Sequence, residues 1–244
     1  MPTPPPRIAT AGWTIPRAVA DAFPAEGSGL ARYAARFSGV EINSTFYRSH
    51  RASTYARWVA ATPAGFRFAV KLPRAATHEA RLAGAALSIA AAFRGEAALL
   101  GAKLGPLLVQ LPPSLAFEAG VAAAFFEGLR ELWAGAIVCE PRHASWFDGA
   151  ADALLARCRV GRAGADPVRH ADPAGAAARP GGWPGIAYWR LHGSPRMYYS
   201  AYDAAALRAL AGEIRAATGE VWCVFDNTTS GAAAANALAL QAML

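Results

Sequence analysis

Four side chains of this sequence can transfer protons and occupy similar places in its pattern. Glu41, Glu140, His192 and Asp226 each lie at or just beyond the end of a short apolar run. Two carboxylates on one surface can act as general acid and general base, as in glycoside hydrolysis. A histidine can take either role near neutral pH. We therefore predict that these four residues are catalytic.

Polar and aromatic side chains near the same run ends are predicted to bind the substrate. The cationic ones would bind an anion, and the aromatic ones could stack on a sugar or a base. The alternative is that they hold loops together or neutralise the carboxylates in a closed salt-bridge network. The predicted binding residues are Asn43, Tyr47, Lys71, His78, Gln110, Arg142, His143, Trp146, Arg190, Gly193 and Asn227.

A divalent cation, Mg²⁺ or Mn²⁺, is an alternative partner of the three carboxylates, with His192 or Asp166 completing its ligands. No compact ligand motif such as H-E-x-x-H is present, so the sequence leaves the ligand set unknown. Cys139, Cys158 and Cys223 are far apart and lack zinc spacing. They are predicted to be small buried hydrophobic residues of a reducing compartment.

Glycine and hydroxyl residues follow two of the apolar runs, at residues 193–194 and 227–231. Parallel barrels often bind phosphate at this place through backbone N–H groups and a helix N-terminus, so we expect an anion there. The alternative is ordinary capping of the next helix by Thr229 or Ser230. No P-loop motif is present, which argues against a nucleoside triphosphate.

The apolar runs themselves predict eight strands that position these side chains. They are short, bounded by Gly or Pro, and typical of buried parallel strands. Polar residues gather at their carboxyl ends, where the catalytic groups of parallel barrels lie, and Glu41 and Asn43 are two apart and share one side. The predicted strands cover residues 7–12, 39–43, 66–71, 106–111, 136–140, 157–165, 186–191 and 221–225.

Helical patterns separate most of these strands, and the alternation predicts an α/β protein. The third pattern is long enough for two helices with a break near Gly95. Eight strands and seven helical connections predict a single-domain (β/α)8 barrel of the TIM type. An open doubly wound sheet competes with it, although no G-x-G-x-x-G follows the first strand. The helical patterns cover residues 26–37, 53–61, 79–103, 117–133, 148–157, 203–217 and 231–244.

Two segments depart from this pattern within the single domain of residues 1–244. Residues 166–185, after the sixth strand, are rich in Ala, Gly and Pro and show no helical period. We expect a long loop there without a clear helix, and long loops in compact domains are often functional. The proline-rich residues 1–6 are expected to form a flexible N-terminus.

Composition bounds the class of protein. Hydrophobic residues make up 54% of the 244 residues and charged residues 17%, so a sizeable core is expected and global disorder is excluded. No run of 18 apolar residues lacks a charge or a breaker, and the N-terminus lacks a signal-peptide core, so we expect a cytoplasmic protein without membrane contact. The net charge of +7 suits nucleic acid, but the scattered arginines do not favour that partner.

Several motifs of this chain resemble the YecE-like family, known as domain of unknown function 72. They are GVEINSTFYR (39–48), FRFAVK (66–71) followed by TH (77–78), LGPLLVQLPP (104–113), EPRHASWF (140–147), YWRLHG (188–193), and FDN (225–227) followed by NAL (236–238). The resemblance covers nearly the whole chain and implies a TIM-type barrel, but it implies no known reaction. Two departures stand out: ATAGW (9–13) where the family commonly has GTSGW, and Asp226 where it commonly has Asn.

Together these patterns predict an enzyme that acts on a small anionic, phosphorylated or sugar-like substrate at the rim of the barrel. Its acid–base chemistry would be of the hydrolase, isomerase or lyase type. One alternative is a metal-dependent phosphodiesterase or nuclease, which would use the positive charge. Another is a ligand-binding module without catalysis. The sequence leaves these classes open, together with the substrate and the oligomeric state.

Overall fold

The computed structural model describes residues 5–168 and 175–244, in which short strands alternate with helices. Residues 1–4 of the expected flexible N-terminus and residues 169–174 of the expected long loop lie outside the described residues. The helices of the described part are too short or too polar to cross a membrane. The described residues form a mixed α/β fold.

Strands occur at all eight predicted places. The sixth predicted strand, 157–165, is instead two short strands that begin at residue 160, because the preceding helix runs to Arg157 and Arg159 turns with a φ of 54°. The strands are β1 (Arg7–Thr10), β2 (Gly39–Ile42), β3 (Arg67–Lys71), β4 (Leu104–Gln110), β5 (Ile137–Glu140), β6 (Val160–Arg162), β7 (Gly164–Asp166), β8 (Gly181–Gly182), β9 (Ile186–Leu191) and β10 (Glu220–Phe225).

Helices occupy the predicted connections, with one correction. The expected break near Gly95 is wrong: Gly95 lies inside a continuous helix, and the chain tightens into a 3-10 helix only at Ala98–Lys103. A single glycine costs a helix only about 1 kcal/mol. The α-helices are α1 (Gly29–Ala34), α2 (Ala52–Ala60), α3 (Ala86–Ala97), α4 (Ala119–Leu132), α5 (Gly149–Arg157), α6 (Ala204–Ala216) and α7 (Ala232–Gln241).

The strands form two mainly parallel sheets. One has the order β1-β10-β9-β7, and the other has the order β2-β3-β4-β5-β6-β8, in which only β8 is antiparallel to its neighbour. The sheets meet beyond the end of β1, where Ala11 bridges to Glu41 and the Gly12 N–H donates to the Glu41 carbonyl at 2.8 Å. On the other side, Ala163 alone separates β6 from β7.

The connection after β7 contains no helix in its described residues, which include β8. One side of β9, with Trp189 and Leu191, therefore borders grooves that extend to α6 rather than a covering helix. Arg162 anchors this connection, because its guanidinium donates to the carbonyls of Ala176 and Arg179 and pairs with Asp152 at 2.7 Å.

Two apolar clusters form the core. The larger one packs the strands against the helices. The smaller one joins side chains of both sheets, and its largest member, Trp222, is fully buried and stacks on Tyr188. A Cβ added to Gly39 would lie 2.9 Å from the Trp222 ring. Trp222 of one sheet therefore packs tightly against Gly39 of the other, near the amino ends of the strands. The smaller cluster comprises Ala9, Ala69, Leu108, Val138, Ala163, Ile186, Tyr188, Trp222 and Val224.

Candidate functional site

The polar side chains at the carboxyl ends of the strands follow the smaller apolar cluster by two residues. Because alternate residues of a strand point to the same side, these polar groups lie on the side of the sheets that carries that cluster. One strand pattern thus yields an apolar layer and, next to it, a charged layer. The successive pairs are Ala69 and Lys71, Leu108 and Gln110, Val138 and Glu140, Tyr188 and Arg190, and Val224 and Asp226.

Arg190 lies at the centre of the charged layer and is fully buried. Its guanidinium contacts all three predicted catalytic carboxylates: Nη2 lies 2.6 Å from Glu41 Oε1 and 3.2 Å from Asp226 Oδ2, and Nη1 lies 3.1 Å from Glu140 Oε2. Burial opposes the charge, but the carboxylates, with Glu41 foremost, hold the pKa of Arg190 well above its usual range. Residues from positions 41 to 226 are thus brought to one cation.

Glu41 is bound on both oxygens by residues of one strand. Arg190 Nε donates to Oε2 at 2.9 Å, and the Tyr188 hydroxyl donates to the same oxygen at 2.9 Å. The side chain is fully buried. Tyr188 was missed by the sequence analysis, although its spacing of two residues from Arg190 is a signal that could have found it.

Glu140 is also fully buried and carries the densest set of donors. Arg142 Nη2 lies 2.6 Å from Oε1, Gln110 Nε2 donates to Oε2 at 3.2 Å, and His192 Nε2 lies 3.1 Å from Oε1. Burial raises the pKa of Glu140, but Arg142 and Arg190 outweigh it, so that its pKa lies well below the usual range. Glu140 is therefore held as a carboxylate.

His192 bridges two of the carboxylates. Its Nδ1 lies 3.0 Å from Asp226 Oδ2, while its Nε2 lies 3.1 Å from Glu140 Oε1 and 2.9 Å from Arg142 Nη2. A neutral ring can donate to Asp226 and accept from Arg142, whereas a protonated ring can donate to both carboxylates. The ring therefore has hydrogen-bond partners in both its neutral and its protonated form.

Asp226 and Tyr198 complete the surroundings of His192. Burial raises the pKa of Asp226, but Arg190 and His192 lower it by more, so that its pKa lies below the usual range. Tyr198 crosses the His192 ring edge-on, with ring centres 5.7 Å apart. It does so from a left-handed backbone conformation with a φ of 68°, which is unusual for a tyrosine. No sequence signal indicated Tyr198.

Lys71 differs from the two arginines because it makes no ion pair with the described residues. Its Nζ donates to Asn43 Oδ1 at 3.1 Å and lies 4.0 Å from the centre of the Phe46 ring. Burial, with a smaller contribution from Arg190, lowers the pKa of Lys71 to about 8. Phe46 was not predicted as a site residue, although it lies in the resembling motif at residues 39–48.

Two predicted binding residues flank this lysine at the surface. His78 packs edge-on against Phe46 at 5.0 Å, and its Nδ1 lies 2.9 Å from Thr77 Oγ1. Burial, followed by Lys71, lowers the pKa of His78. Tyr47 also meets Phe46 edge-on and is 71% exposed. Asn43, Tyr47, Lys71 and His78 thus gather around Phe46 as a second part of the site.

Trp146 and His143 have other surroundings. The buried Trp146 packs against Phe117 and donates its indole N–H to the Leu115 carbonyl at 2.9 Å. His143 caps a short helix, where its Nδ1 accepts from the Ser145 N–H at 3.2 Å. These contacts are structural and do not involve the charged layer.

Part of the expected phosphate cradle is engaged in contacts within the protein. The Gly193 N–H donates to the Tyr202 hydroxyl at 2.9 Å, and the N–H groups of Thr229 and Gly231 donate to the carbonyls of Tyr198 and Thr228. Asn227, another predicted binding residue, is buried and ties Ser200 to Asn236 through its Nδ2. Three backbone N–H groups of this place are thus paired within the protein, and an anion there stays a prediction.

Capping of α7 by Thr229 or Ser230 is not the main feature of this turn either. The helix begins after Gly231, whose φ is 80°, and this N-cap offers no side-chain hydrogen bond. Ser230 Oγ accepts only a long bond of 3.4 Å from the Ala232 N–H and donates to the Tyr199 carbonyl. A glycine conformation, rather than a hydroxyl cap, sets the start of α7.

Metal-binding geometry is not found among residues 5–168 and 175–244: no three His, Cys, Asp or Glu side chains are grouped to hold an ion. The three carboxylates of the charged layer face Arg190 instead. The three cysteines are buried and free, as their apolar surroundings in the sequence predicted.

Comparisons with known proteins identify similar chains. A family model described as "Protein of unknown function DUF72" matches residues 7–244. A crystal structure of a DUF72 family protein from Thermotoga maritima is 23% identical, with a TM-score of 0.78 over 97% of this chain and 98% of that one. One from Enterococcus faecalis is 20% identical, with a TM-score of 0.78 over 98% and 94%. No curated protein matches significantly.

Proposed function

Because the chain belongs to the DUF72 family, whose function is unknown, its activity must be inferred from the site, and we propose that it is an enzyme with acid–base chemistry. The substrate would be a small polar, sugar-like or anionic molecule at the carboxyl ends of the strands. A cytoplasmic location is part of this proposal, and the three free, buried cysteines fit a reducing compartment.

We infer that the two sheets are halves of one (β/α)8 barrel of the TIM type. The bridge between Ala11 and Glu41 supports one seam, and the single residue Ala163 between β6 and β7 supports the other. The apolar cluster shared by both sheets supports a common interior. In such barrels the active site lies at the carboxyl ends of the strands, where the charged layer is found.

The observation that carries the proposed function is the position of His192 between Asp226 and Glu140. An imidazole whose two nitrogens face carboxylates can be held in one orientation and can gain or lose a proton without leaving its place. His192 would transfer the proton, Asp226 would orient the ring, and Glu140 would stabilise its charged form. Glu41 is fully bound by Arg190 and Tyr188, so we assign it a positioning role.

Substrate binding is assigned to the less buried side chains around this centre. Asn43, Gln110, Arg142 and His78 are only partly bonded within the protein or partly exposed, and Tyr47 is exposed. Arg142 would attract an anionic group. A phosphorylated substrate has less support than a sugar-like or carboxylate one, because three of the backbone N–H groups after β9 and β10 are already paired.

The two alternatives predicted from the sequence have weaker support. A metal-dependent phosphodiesterase needs grouped metal ligands, and the described residues offer none. A binding module without catalysis needs no buried histidine between two carboxylates, and keeping such a network in the interior would be costly without a use. A nucleic-acid partner remains supported only by the net charge.

The proposed function is tested by turnover. The protein is incubated with a panel of small sugars, hydroxy acids and oxo acids in D₂O, and proton NMR follows loss or deuteration of each compound. We expect at least one compound to react, and H192Q to reduce its rate by roughly 10²–10⁴-fold. The control is H50Q, because His50 lies outside the charged layer and bonds to Ser44. Equal rates for H192Q and the wild type, or no reaction at all, would contradict the proposal.

A further inference from the structure

Lys71 has the surroundings of a reactive amine rather than of a charge that balances carboxylates. Its ammonium has three donors, and the described residues offer it one acceptor, Asn43 Oδ1 at 3.1 Å. The remaining close contact is the Phe46 ring, 4.0 Å away. Both oxygens of Glu41 and Glu140, and Oδ2 of Asp226, are bound by other donors. Lys71 is 4% exposed, so the residue is largely removed from water but retains a small accessible surface.

The backbone N–H and carbonyl of Lys71 are both held by the side chain of Thr45. Thr45 Oγ1 donates to the Lys71 carbonyl at 2.8 Å and accepts from the Lys71 N–H at 3.1 Å. Thr45 follows β2, so this pair fixes β3 to its neighbour at the point where the lysine leaves the strand. A nucleophile on a rigid strand end is held more precisely than one on a loop.

Lys103 provides the contrast, since it is the other lysine of the chain. Its Nζ donates to the carbonyls of Val59 and Thr62 and to Thr62 Oγ1. All three donors therefore have acceptors, and the amine closes a helix end at the surface. The two lysines have opposite hydrogen-bonding states in one molecule.

We propose that Lys71 forms an imine with a small polar aldehyde or ketone, the substrate class of the site. This inference rests on the proposed function and narrows it to carbonyl compounds. The neutral amine attacks the carbonyl carbon and gives a carbinolamine, which then loses water as the C=N bond forms. One oxygen and two hydrogens leave as water, and no oxidant or reductant is needed.

The groups around Lys71 suit this step. An amine in an apolar pocket beside another cation is more often neutral at physiological pH than a solvated lysine. Phe46 supplies the apolar wall, and Arg190 is the neighbouring cation. His78, which also packs against Phe46, has an Nε2 that makes no hydrogen bond with the described residues and can carry the proton released at the carbinolamine. The imine then draws electrons from the adjacent carbon, which permits lyase or isomerase chemistry.

Reductive trapping tests the imine directly. The full-length protein is incubated at pH 7 with glycolaldehyde, or with glyoxylate, in the presence of sodium cyanoborohydride, which converts an imine into a stable secondary amine. Peptide mass spectrometry then measures the modified fraction at Lys71, at Lys103 and at the N-terminus. We expect Lys71 to be labelled at least about tenfold faster than Lys103, because the Lys103 amine is held by three acceptors and the Lys71 amine by one. Preference for glyoxylate over glycolaldehyde would indicate an anionic carbonyl substrate.

Because Lys71 and Lys103 are compared within the wild-type protein, this test does not depend on the folding of any variant. K71R, checked by near-ultraviolet circular dichroism, should lose the fast labelling, and K103R should keep it. Labelling of Lys71 no faster than that of Lys103 overturns the inference. If Lys71 is not labelled but H192Q still abolishes a turnover seen in the wild type, the imine fails and the proposed function stands. If Lys71 is labelled and no compound turns over, the imine stands and the proposed function fails.

Discussion

Glu41 is the carboxylate that does most to stabilise the buried charge of Arg190. Their bidentate pair is fully buried, and Tyr188 adds a further donor to Glu41. Replacing Glu41 by glutamine would leave the guanidinium buried with only Glu140 and Asp226 as partners. The same replacement at an exposed pair would change little.

We predict that E41Q lowers the free energy of unfolding by about 3–5 kcal/mol, the usual cost of breaking a buried ion pair. For a chain of this length each kcal/mol lowers the melting temperature by about 2–4 °C. Thermal unfolding followed by circular dichroism measures the change. E127Q is the control, since Glu127 forms an exposed pair with Arg157. A melting temperature within 2 °C of the wild type would show that Glu41 is not a structural partner of Arg190.

The buried charge of Lys71, unlike that of Glu41, is predicted to lower the stability of the folded protein. Its pKa of about 8 in the folded state lies below the ordinary 10.5, so the unfolded chain binds more protons between these pH values. Stability therefore rises as pH increases from about 8 to about 10.5, and the cost of the buried charge is fully present below pH 8. That cost is at most about 3 kcal/mol.

K71M should therefore stabilise the protein at pH 7, and the gain should shrink as the pH approaches 10.5. Methionine has an unbranched side chain one atom shorter than that of lysine, so it can still pack against Phe46 but carries no charge. Denaturant unfolding at pH 7 and pH 10 measures the difference between variant and wild type, which cancels the titration of other groups. A variant that is less stable at pH 7 would mean that Lys71 is a needed structural cation.

At the scale of elements, local sequence signals were informative where one strong preference acts. The helical pattern predicted for residues 203–217 begins at Asp203, and the Asp203 Oδ1 accepts from the Ala206 N–H at 2.8 Å as an N-cap. Gly95 was misleading, because the packing of Phe93 and Ala97 into the core outweighs the small helix cost of one glycine. The division of the sixth strand could not be predicted either, since it depends on β6 pairing with β5 and β7 pairing with β9.

The cap of α6 gives a prediction at this scale. D203A should lower the free energy of unfolding by about 1 kcal/mol, because one N–H of the first turn loses its acceptor. D203N keeps an oxygen in the same place and should cost less. Urea unfolding of the three proteins measures both changes. Equal losses for D203A and D203N would indicate that the charge of Asp203 matters rather than its hydrogen bond.

At the scale of the whole molecule, the rule that polar groups of parallel strands converge at their carboxyl ends predicted most of the charged layer. It brought Glu41, Glu140, Arg190 and Asp226 together without any motif. It could not say which cation is paired and which is not, because that depends on distances of a few ångströms across the layer. Lys71 stays a predicted anion-binding residue, and its contacts add that it makes no ion pair with the described residues.

The contact between the two sheets at Trp222 gives a prediction for the molecule as a whole. Gly39 lies in β2 and Trp222 in β10, so a methyl group at position 39 would press against a ring from the other sheet. We expect G39A to cost about 1–3 kcal/mol, the usual effect of overpacking. G65A is the control, because nothing lies within 4 Å of a Cβ at Gly65. Chemical unfolding measures both, and equal stabilities would contradict a tight contact.

The same contact limits how sequences of this fold can diverge. A large ring at position 222 and the absence of a side chain at position 39 form a matched pair, and a Cβ added to Gly105 would lie 3.2 Å from the same ring. Substitutions at these three positions should therefore be correlated in evolution. Lineages that acquire a side chain at either glycine should first replace the tryptophan with a smaller residue. An alignment deep enough to measure covariation would reveal this order of replacement without any experiment on the protein.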